Sequence, residues 1–180
     1  MMNIQKKYKY KNFVFVLIND FSLIAFSNAI EPLRIANRQA QKEIYTWKLM
    51  SENGENVKCS SGFLFKVDSP ISQIDNDDFV ILCAGQNIKK NTTKKLLNWI
   101  RKESRKKIYI GSICTGTYVL AKAGLINDIP STIHWENREA LKEEFEHLNI
   151  SDAVYTIDKK WFSAAGGTAS IDLMLNICLL

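Results

Sequence analysis

The sequence predicts an α/β domain in which a mostly parallel sheet is covered by helices on both faces. Short apolar segments alternate with segments of helical periodicity along the chain, the order typical of such a fold. The apolar segments at residues 13–18 and 79–83 have almost no polar positions, as expected of strands buried on both faces. With 180 residues, 46% of them hydrophobic, the chain has the size of one domain.

Each element is assigned from its apolar periodicity and from the turn residues that bound it. The predicted strands are residues 13–18, 45–51, 79–83, 108–111, 154–157 and 161–163, with a hairpin at 57–67 that turns at Ser61 and Gly62. The predicted helices are residues 21–41, which include Pro32, then 91–105, a segment ending at Gly124, 136–147 and 170–180. The carboxyl ends of parallel strands share one edge, so the turns at Asp20, Gly85 and Cys114 are expected to border one crevice.

The most informative turn is the one that carries Cys114. A β-branched run ends at Gly111, and a helix of small residues follows directly after Gly116. Unpaired N–H groups and the positive end of the helix dipole favour a thiolate or a bound anion at such a turn. Ser112 stands where a serine-type nucleophile elbow carries glycine, so the match is imperfect. Spacing alone leaves two interpretations open, a functional thiol and a buried free cysteine.

Composition narrows the class of protein. The four cysteines are scattered without a C-x-x-C pair, which favours a reduced, cytoplasmic protein, and no apolar segment is long enough to cross a membrane. The net charge is +5, and many lysines flank the apolar residues 96–100, a pattern typical of an amphipathic surface helix rather than a nucleic-acid patch. With two histidines and no clustered thiols, neither a metal nor a cofactor is expected.

Four segments carry a resemblance to a known family, and together they span nearly the whole chain. They are residues 21–38, 113–125, 132–136 and 163–175, which include Glu31-Pro, Cys114-Thr-Gly, His134-Trp and Gly166-Gly-Thr. In this order the chain resembles the ThiJ/PfpI branch of the class I glutamine amidotransferase-like superfamily. Within that branch it is most similar to the amino-terminal sensor domains of AraC-family transcriptional regulators of the GlxA type.

The resemblance implies a flavodoxin-like three-layer sandwich over residues 1–180 that acts as a ligand-sensing domain. It also implies a carboxy-terminal helix-turn-helix domain beyond residue 180, and the apolar end of the last predicted helix fits a chain that stops before it. Such a domain is expected to form a homodimer and to bind a small nitrogenous metabolite, either an amino acid or a betaine-like compound. DNA would be bound only through the helix-turn-helix domain.

The expected ligand site combines three turns. Cys114, Thr115 and Gly116 would form its floor, and His134, Gly85 and Gly167 its walls. Backbone N–H groups at these turns suit an anionic group of the ligand. Glu31 is a further candidate that would face a cationic group, although an ion pair with Arg34 or Arg38 on the same helix is the competing interpretation.

The alternative is a cysteine-dependent enzyme, isocyanide hydratase-like or hydrolase- or amidotransferase-like, with Cys114 as the nucleophile. Two departures from those enzymes argue against it. Thr115 stands where the related proteases place a histidine, and Ala25 stands where hydratases and deglycases place an acid. Since a thiol needs a partner that directs its protonation, the sequence favours a non-catalytic sensor in which Cys114 still reacts easily with oxidants.

Overall fold

A computed structural model describes residues 11–179 and contains a seven-stranded sheet with the order β5-β2-β1-β6-β7-β9-β8. The strands are β1 Lys11–Leu17, β2 Tyr45–Ser51, β3 Val57–Lys58, β4 Leu64–Phe65, β5 Ser69–Pro70, β6 Phe79–Cys83, β7 Tyr109–Ile113, β8 Tyr155–Asp158 and β9 Trp161–Ala164. The helices are α1 Leu23–Ala40, α2 Ile88–Asn91, α3 Lys94–Glu103, α4 Thr117–Lys122, α5 Trp135–Glu144 and α6 Ala169–Leu179.

The sheet is parallel except at one edge. All pairs from β5 across to β9 are parallel, in the order β5, β2, β1, β6, β7 and β9. The edge strand β8 pairs antiparallel with β9. The strands β3 and β4 form a separate antiparallel hairpin, as the turn at Gly62 predicts. The strand order reverses between β1 and β6, the place where ligands bind in open α/β sheets.

Helices cover both faces of the sheet, and the alternation of side chains along β1 shows how. Phe13, Phe15 and Leu17 point into an apolar cluster with α1 and α6, whereas Val14 and Val16 point into a second cluster with α3 and α4. All five side chains are buried, which explains the uninterrupted apolar run in the sequence. The mostly parallel α/β fold is therefore confirmed as a three-layer sandwich.

Several boundaries differ from the prediction, since β7 continues to Ile113 and α3 begins at Lys94, and three elements differ for a local reason. The two-residue strand β5 and the four-residue helix α2 are too short to produce a periodic signal. Helix α5 begins at Trp135 and ends at Glu144, because Phe145 adopts a non-helical φ of −136°, whereas the predicted helix runs to residue 147. The basic residues before Lys11 and the end of the last predicted helix at Leu180 lie outside the described residues.

In the described range 11–179, no helix combines the length and the apolar character that crossing a membrane requires.

Candidate functional site

A cleft of about 620 Å³ opens at the carboxyl ends of the central strands, beside the point where the strand order reverses. It lies between the loops that follow β1, β6 and β7 and the first turn of α5. The lining residues are Ser22, Ser60, Gly85, Gln86, Asn87, Ile88, Lys89, Lys90, Cys114, Thr115, His134, Glu136 and Asn137. The structure thus brings four of the predicted site residues together: Cys114, Thr115, His134 and Gly85.

The floor of the cleft is held by bonds between loops. The backbone N–H of Ser22 donates to the carbonyl of Ala84 at 3.1 Å, and Gln86 donates to Asp20 at 2.9 Å. The Thr115 hydroxyl donates to the carbonyl of Gly85 at 2.6 Å, which ties the loop after β7 to the loop after β6. A Cβ at Gly85 would lie 2.3 Å from the Asp20 carbonyl, so only glycine allows these loops to approach so closely.

Cys114 occupies the turn between the end of β7 and the start of α4. Its φ is +59°, the left-handed conformation expected of a strained turn residue. Its N–H donates to the Ala164 carbonyl at 3.0 Å, and its own carbonyl accepts from the N–H of His134 at 3.1 Å. A Cβ at Gly166 would lie 2.9 Å from both Cα and Cβ of Cys114, so the turn after β9 packs directly on this residue.

The Cys114 thiol is protonated at neutral pH. Burial raises its pKa to about 11, opposed by hydrogen bonds from Thr115 and Ser22. The sequence predicts thiolate character at this turn, and that prediction is wrong. Desolvation raises the pKa of the thiol by more than the nearby N–H groups lower it. Ala25 stands where hydratases and deglycases place an acid. It is fully buried in the same apolar cluster as Cys114. Among the described residues, none of the members of this apolar cluster carries a carboxylate that could direct the proton of the thiol.

The opposite wall of the cleft is polar and begins at His134. This residue precedes α5, and its Nδ1 lies 3.7 Å from Oε2 of Glu136. Trp135 packs loosely beside the imidazole, with ring centroids 5.7 Å apart, and is 68% exposed. Glu136 is also exposed, so its carboxylate remains accessible to a cationic group in the cleft.

Two lysines of α2 face the cleft and differ in their partners. Lys89 forms an ion pair with Glu144 at the end of α5, with an Nζ–Oε2 distance of 2.6 Å. Lys90 is exposed and has no hydrogen-bond or ion-pair partner among residues 11–179. Among the described residues, the cleft therefore has an unpaired cation, Lys90, on the α2 side and an exposed carboxylate, Glu136, on the α5 side.

Three predicted site residues do not line this cleft. Gly116 is buried beneath it, where a Cβ would lie 2.5 Å from the carbonyl oxygen of Leu82. Gly167 lies beyond Cys114, and its carbonyl accepts from the Asn28 side chain on α1 at 3.1 Å. Close packing therefore favours glycine at position 116, and a φ of +57° favours glycine at position 167, so each has a structural reason that is independent of a ligand.

Glu31 is also absent from the cleft lining, and the ion pair is the correct interpretation. Its carboxylate accepts from Nε and Nη2 of Arg34 at distances between 2.6 and 3.0 Å. The hydrogen bonds from Arg34 lower the pKa of Glu31 below its usual value. Glu31 is thus engaged on the surface of α1.

Sequence reasoning missed several residues of the polar wall, namely Ser22, Ser60, Gln86, Asn87, Lys90, Glu136 and Asn137. Asn87 carried a usable signal, because an asparagine two residues after Gly85 favours a left-handed turn, and its φ is +54°. Lys90 and Glu136 are 46 positions apart, and only the tertiary fold reveals that they border one cleft. Within the described part of the chain, no group of three histidine, cysteine or acidic side chains is arranged to hold a metal ion.

Curated relatives match over most of the chain. The HTH-type transcriptional regulator GbdR of Pseudomonas aeruginosa is 34% identical over 163 residues, which cover 91% of this chain and 44% of GbdR. The HTH-type transcriptional regulator CdhR of the same species is 36% identical over 167 residues, covering 93% of this chain and 49% of CdhR. The chain therefore spans about half the length of the curated relatives it matches.

The fold and the family agree with these relatives. The crystal structure of an AraC family transcriptional regulator from Pseudomonas putida superimposes with a TM-score of 0.81 at 24% identity, covering 93% of this chain and 90% of that one, which shows a shared fold. The model of the DJ-1/PfpI family matches residues 11–179. This chain belongs to the DJ-1/PfpI family.

Proposed function

We propose that this chain is the ligand-sensing domain of a cytoplasmic, AraC-type transcriptional regulator and that it binds a metabolite without converting it. The likeness to two HTH-type regulators over nine-tenths of the chain supports the regulatory part of this proposal. The position of the cleft supports the sensing part, because it lies at the reversal of strand order where α/β sheets hold their ligands.

The ligand we propose is a small nitrogenous compound with both charges, an amino acid or a betaine. Lys90 on the α2 side suits its carboxylate, and Glu136 on the α5 side suits its cationic nitrogen. The side chains of Gln86 and Asn137 add hydrogen-bonding groups to the lining, whereas the Asn87 amide donates to Asp20 at 2.9 Å. Cys114, Thr115, Gly85 and His134 shape the floor beneath it.

The absence of turnover rests on one observation, the surroundings of the Cys114 thiol. The thiol is neutral at physiological pH, and the position at which the related hydratases and deglycases place an acid holds the buried Ala25. A nucleophilic thiol requires a base, a cation or an acid partner to control its proton. The cleft thus keeps the shape of the cysteine enzymes of this family without their proton chemistry.

The test is a thermal-shift screen of amino acids and betaines, run beside activity assays with isocyanides, glyoxals and amides. We expect one class of zwitterion to raise Tm and none of the reactive compounds to be consumed. Asn137→Trp, which fills the cleft, should abolish the shift, whereas Glu143→Trp on the exposed side of α5 should leave it unchanged. Turnover that is lost in Cys114→Ala would instead establish the enzyme.

Further parts of the proposal concern partners. We expect a helix-turn-helix domain after residue 180 in the full protein, and a homodimer that places two such domains on DNA. Phe63 and Leu64 are adjacent on the β3–β4 hairpin and more than 60% exposed, so they are the first residues to test for self-association. Sedimentation should give a dimer at micromolar concentration and a monomer for Leu64→Asp. Residues 1–180 alone should bind DNA only weakly and with strong salt dependence.

A further inference from the structure

A group of buried hydroxyls lies directly beneath the cleft and takes no part in the proposed ligand contacts. Ser112 is on β7, Thr117 begins α4, Thr132 belongs to the segment before α5, and Ser163 is on β9. All four residues are between 0 and 2% exposed. Hydroxyls buried to this degree carry a desolvation cost, so their arrangement requires an explanation.

The hydrogen bonds of this group converge on the backbone of Thr132. The Thr117 hydroxyl donates to the Thr132 carbonyl at 2.6 Å, and the Thr132 N–H donates to Oγ of Ser163 at 2.8 Å. Since the single proton of Thr117 is committed to that carbonyl, the contact of 2.8 Å between Ser112 and Thr117 has Ser112 as its donor. Thr132 lies in no strand or helix, so side chains replace the backbone partners that a regular element would supply.

This segment determines where His134 lies. Two residues after Thr132, the N–H of His134 donates to the carbonyl of Cys114 at 3.1 Å. Within three residues the chain is therefore attached to α4 through Thr117, to β9 through Ser163 and to the turn after β7 through Cys114. Two of these three hydrogen bonds use a side-chain hydroxyl, so a substitution at Thr117 or at Ser163 can remove one of them.

We propose that Thr117 and Ser163 are positioning residues, which fix the segment carrying His134 against the Cys114 turn and so set the distance between the floor of the cleft and its polar wall. The inference rests on the cleft of the proposed function, but it concerns the unliganded protein. Neither residue lines the cleft, and both act through the backbone of Thr132.

The chain offers a matched control within the same group. The Thr132 hydroxyl is buried and has no hydrogen-bond partner among the described residues, although it stands beside the bonds made by its own backbone. Thr117→Val and Thr132→Val make the same change of shape at two fully buried sites. Only the first removes a bond that holds the segment.

The experiment is amide hydrogen exchange by NMR on the unliganded domain, with Ile81 in the central strand β6 as the reporter of global unfolding. In Thr117→Val, the His134 amide should exchange about tenfold faster relative to Ile81, since a buried carbonyl loses its donor. Thr117→Ser should restore the wild-type ratio. Ser163→Ala should also raise the ratio, because it removes the acceptor of the Thr132 N–H.

Thr132→Val should leave the ratio of His134 to Ile81 exchange unchanged. Equal ratios in Thr117→Val and wild type, or a failure of Thr117→Ser to restore the ratio, would overturn the proposal. If Thr117→Val does not fold, Ser163→Ala tests the same segment, with Thr156→Val as the control for the 2.7 Å hydrogen bond that Ser163 also makes with Thr156. The readout needs no ligand, so a failed metabolite screen would refute the proposed function without affecting this result.

Discussion

The Cys114 thiol has two unlike sides, and the contrast between them explains the chemistry of the cleft. Toward α1 and α6 it faces the apolar cluster that contains Ala25, together with the tight turn at Gly166. Toward the cleft it hydrogen-bonds to Ser22, and the lining of the cleft includes the side chains of His134, Glu136 and Lys90. The apolar side keeps the thiol neutral, while the polar side offers groups that can hold a charged ligand. This fold can therefore keep the shape of the cleft while the Cys114 thiol stays unreactive.

The largest effect should follow from placing an acid on the apolar side. Ala25→Glu buries a carboxylate without a partner, and we expect it to lower the free energy of unfolding by at least ~3 kcal/mol. Ile24→Glu on the same turn of α1 is the control, because Ile24 is 57% exposed and should tolerate the change within about 0.5 kcal/mol. Urea denaturation measures both. Equal stability of the two variants would show that the site beside Cys114 accommodates an acid.

The next effect concerns the turn that packs on Cys114. Gly166→Ala combines a φ of +96° with a Cβ only 2.9 Å from Cys114, and should cost about 3 kcal/mol. Gly167→Ala has a φ of +57° and no atom within 4 Å of its Cβ, so only backbone strain of about 1 kcal/mol is expected. Chemical denaturation should separate these neighbours. Similar losses in the free energy of unfolding would mean that the turn shifts to accommodate the added Cβ and that its contact with Cys114 costs little.

A smaller effect concerns the proton of Cys114. With a pKa of about 11, its thiol should react with iodoacetamide at pH 8 about a hundredfold more slowly than a free cysteine. Because the folded pKa lies above the unfolded value, the stabilisation is complete below about pH 8.5 and is lost as the pH rises toward 11. Alkylation followed by mass spectrometry, and Tm measured across this range, test both statements. Cys114→Ala should show a smaller alkaline loss, and the remainder is expected from other thiols such as Cys83, whose pKa burial also raises. Fast alkylation of Cys114 at pH 7 would contradict the assignment.

The smallest effect belongs to the ion pair between Lys89 and Glu144, which joins α2 to α5. Hydrogen bonding to Lys89 lowers the pKa of Glu144, so its contribution to stability is present above the unfolded pKa and is lost as the pH falls through the folded one. Glu144→Gln should therefore reduce the difference in Tm between pH 7 and pH 3. The corresponding change in the free energy of unfolding should be less than ~1 kcal/mol. Glu143→Gln is the exposed control. A pH response identical to wild type would show that this pair does not hold the walls.

The sequence was informative where local composition and tertiary environment agree. Residues 79–83 are apolar throughout because β6 is central and buried on both faces, so this strand was predictable. Cys114 was recognisable from its flanking glycines, but the pKa of its thiol was not, because desolvation depends on distant residues such as Ala25. Gly116 was predicted to line the ligand site but is buried beneath the cleft, since a small residue required by the Leu82 carbonyl resembles one required by a ligand.

The most direct test of the account is isothermal titration of the domain with the zwitterion that raises Tm, followed by NMR of the recovered compound. We expect saturable binding of one ligand per chain, and the recovered ligand should be chemically unchanged. Lys90→Ala and Glu136→Gln should each weaken binding about tenfold or more, whereas Lys94→Ala, on an exposed lysine outside the cleft, should not. Conversion of the ligand that disappears in Cys114→Ala, or unaltered binding in both cleft variants, would contradict it.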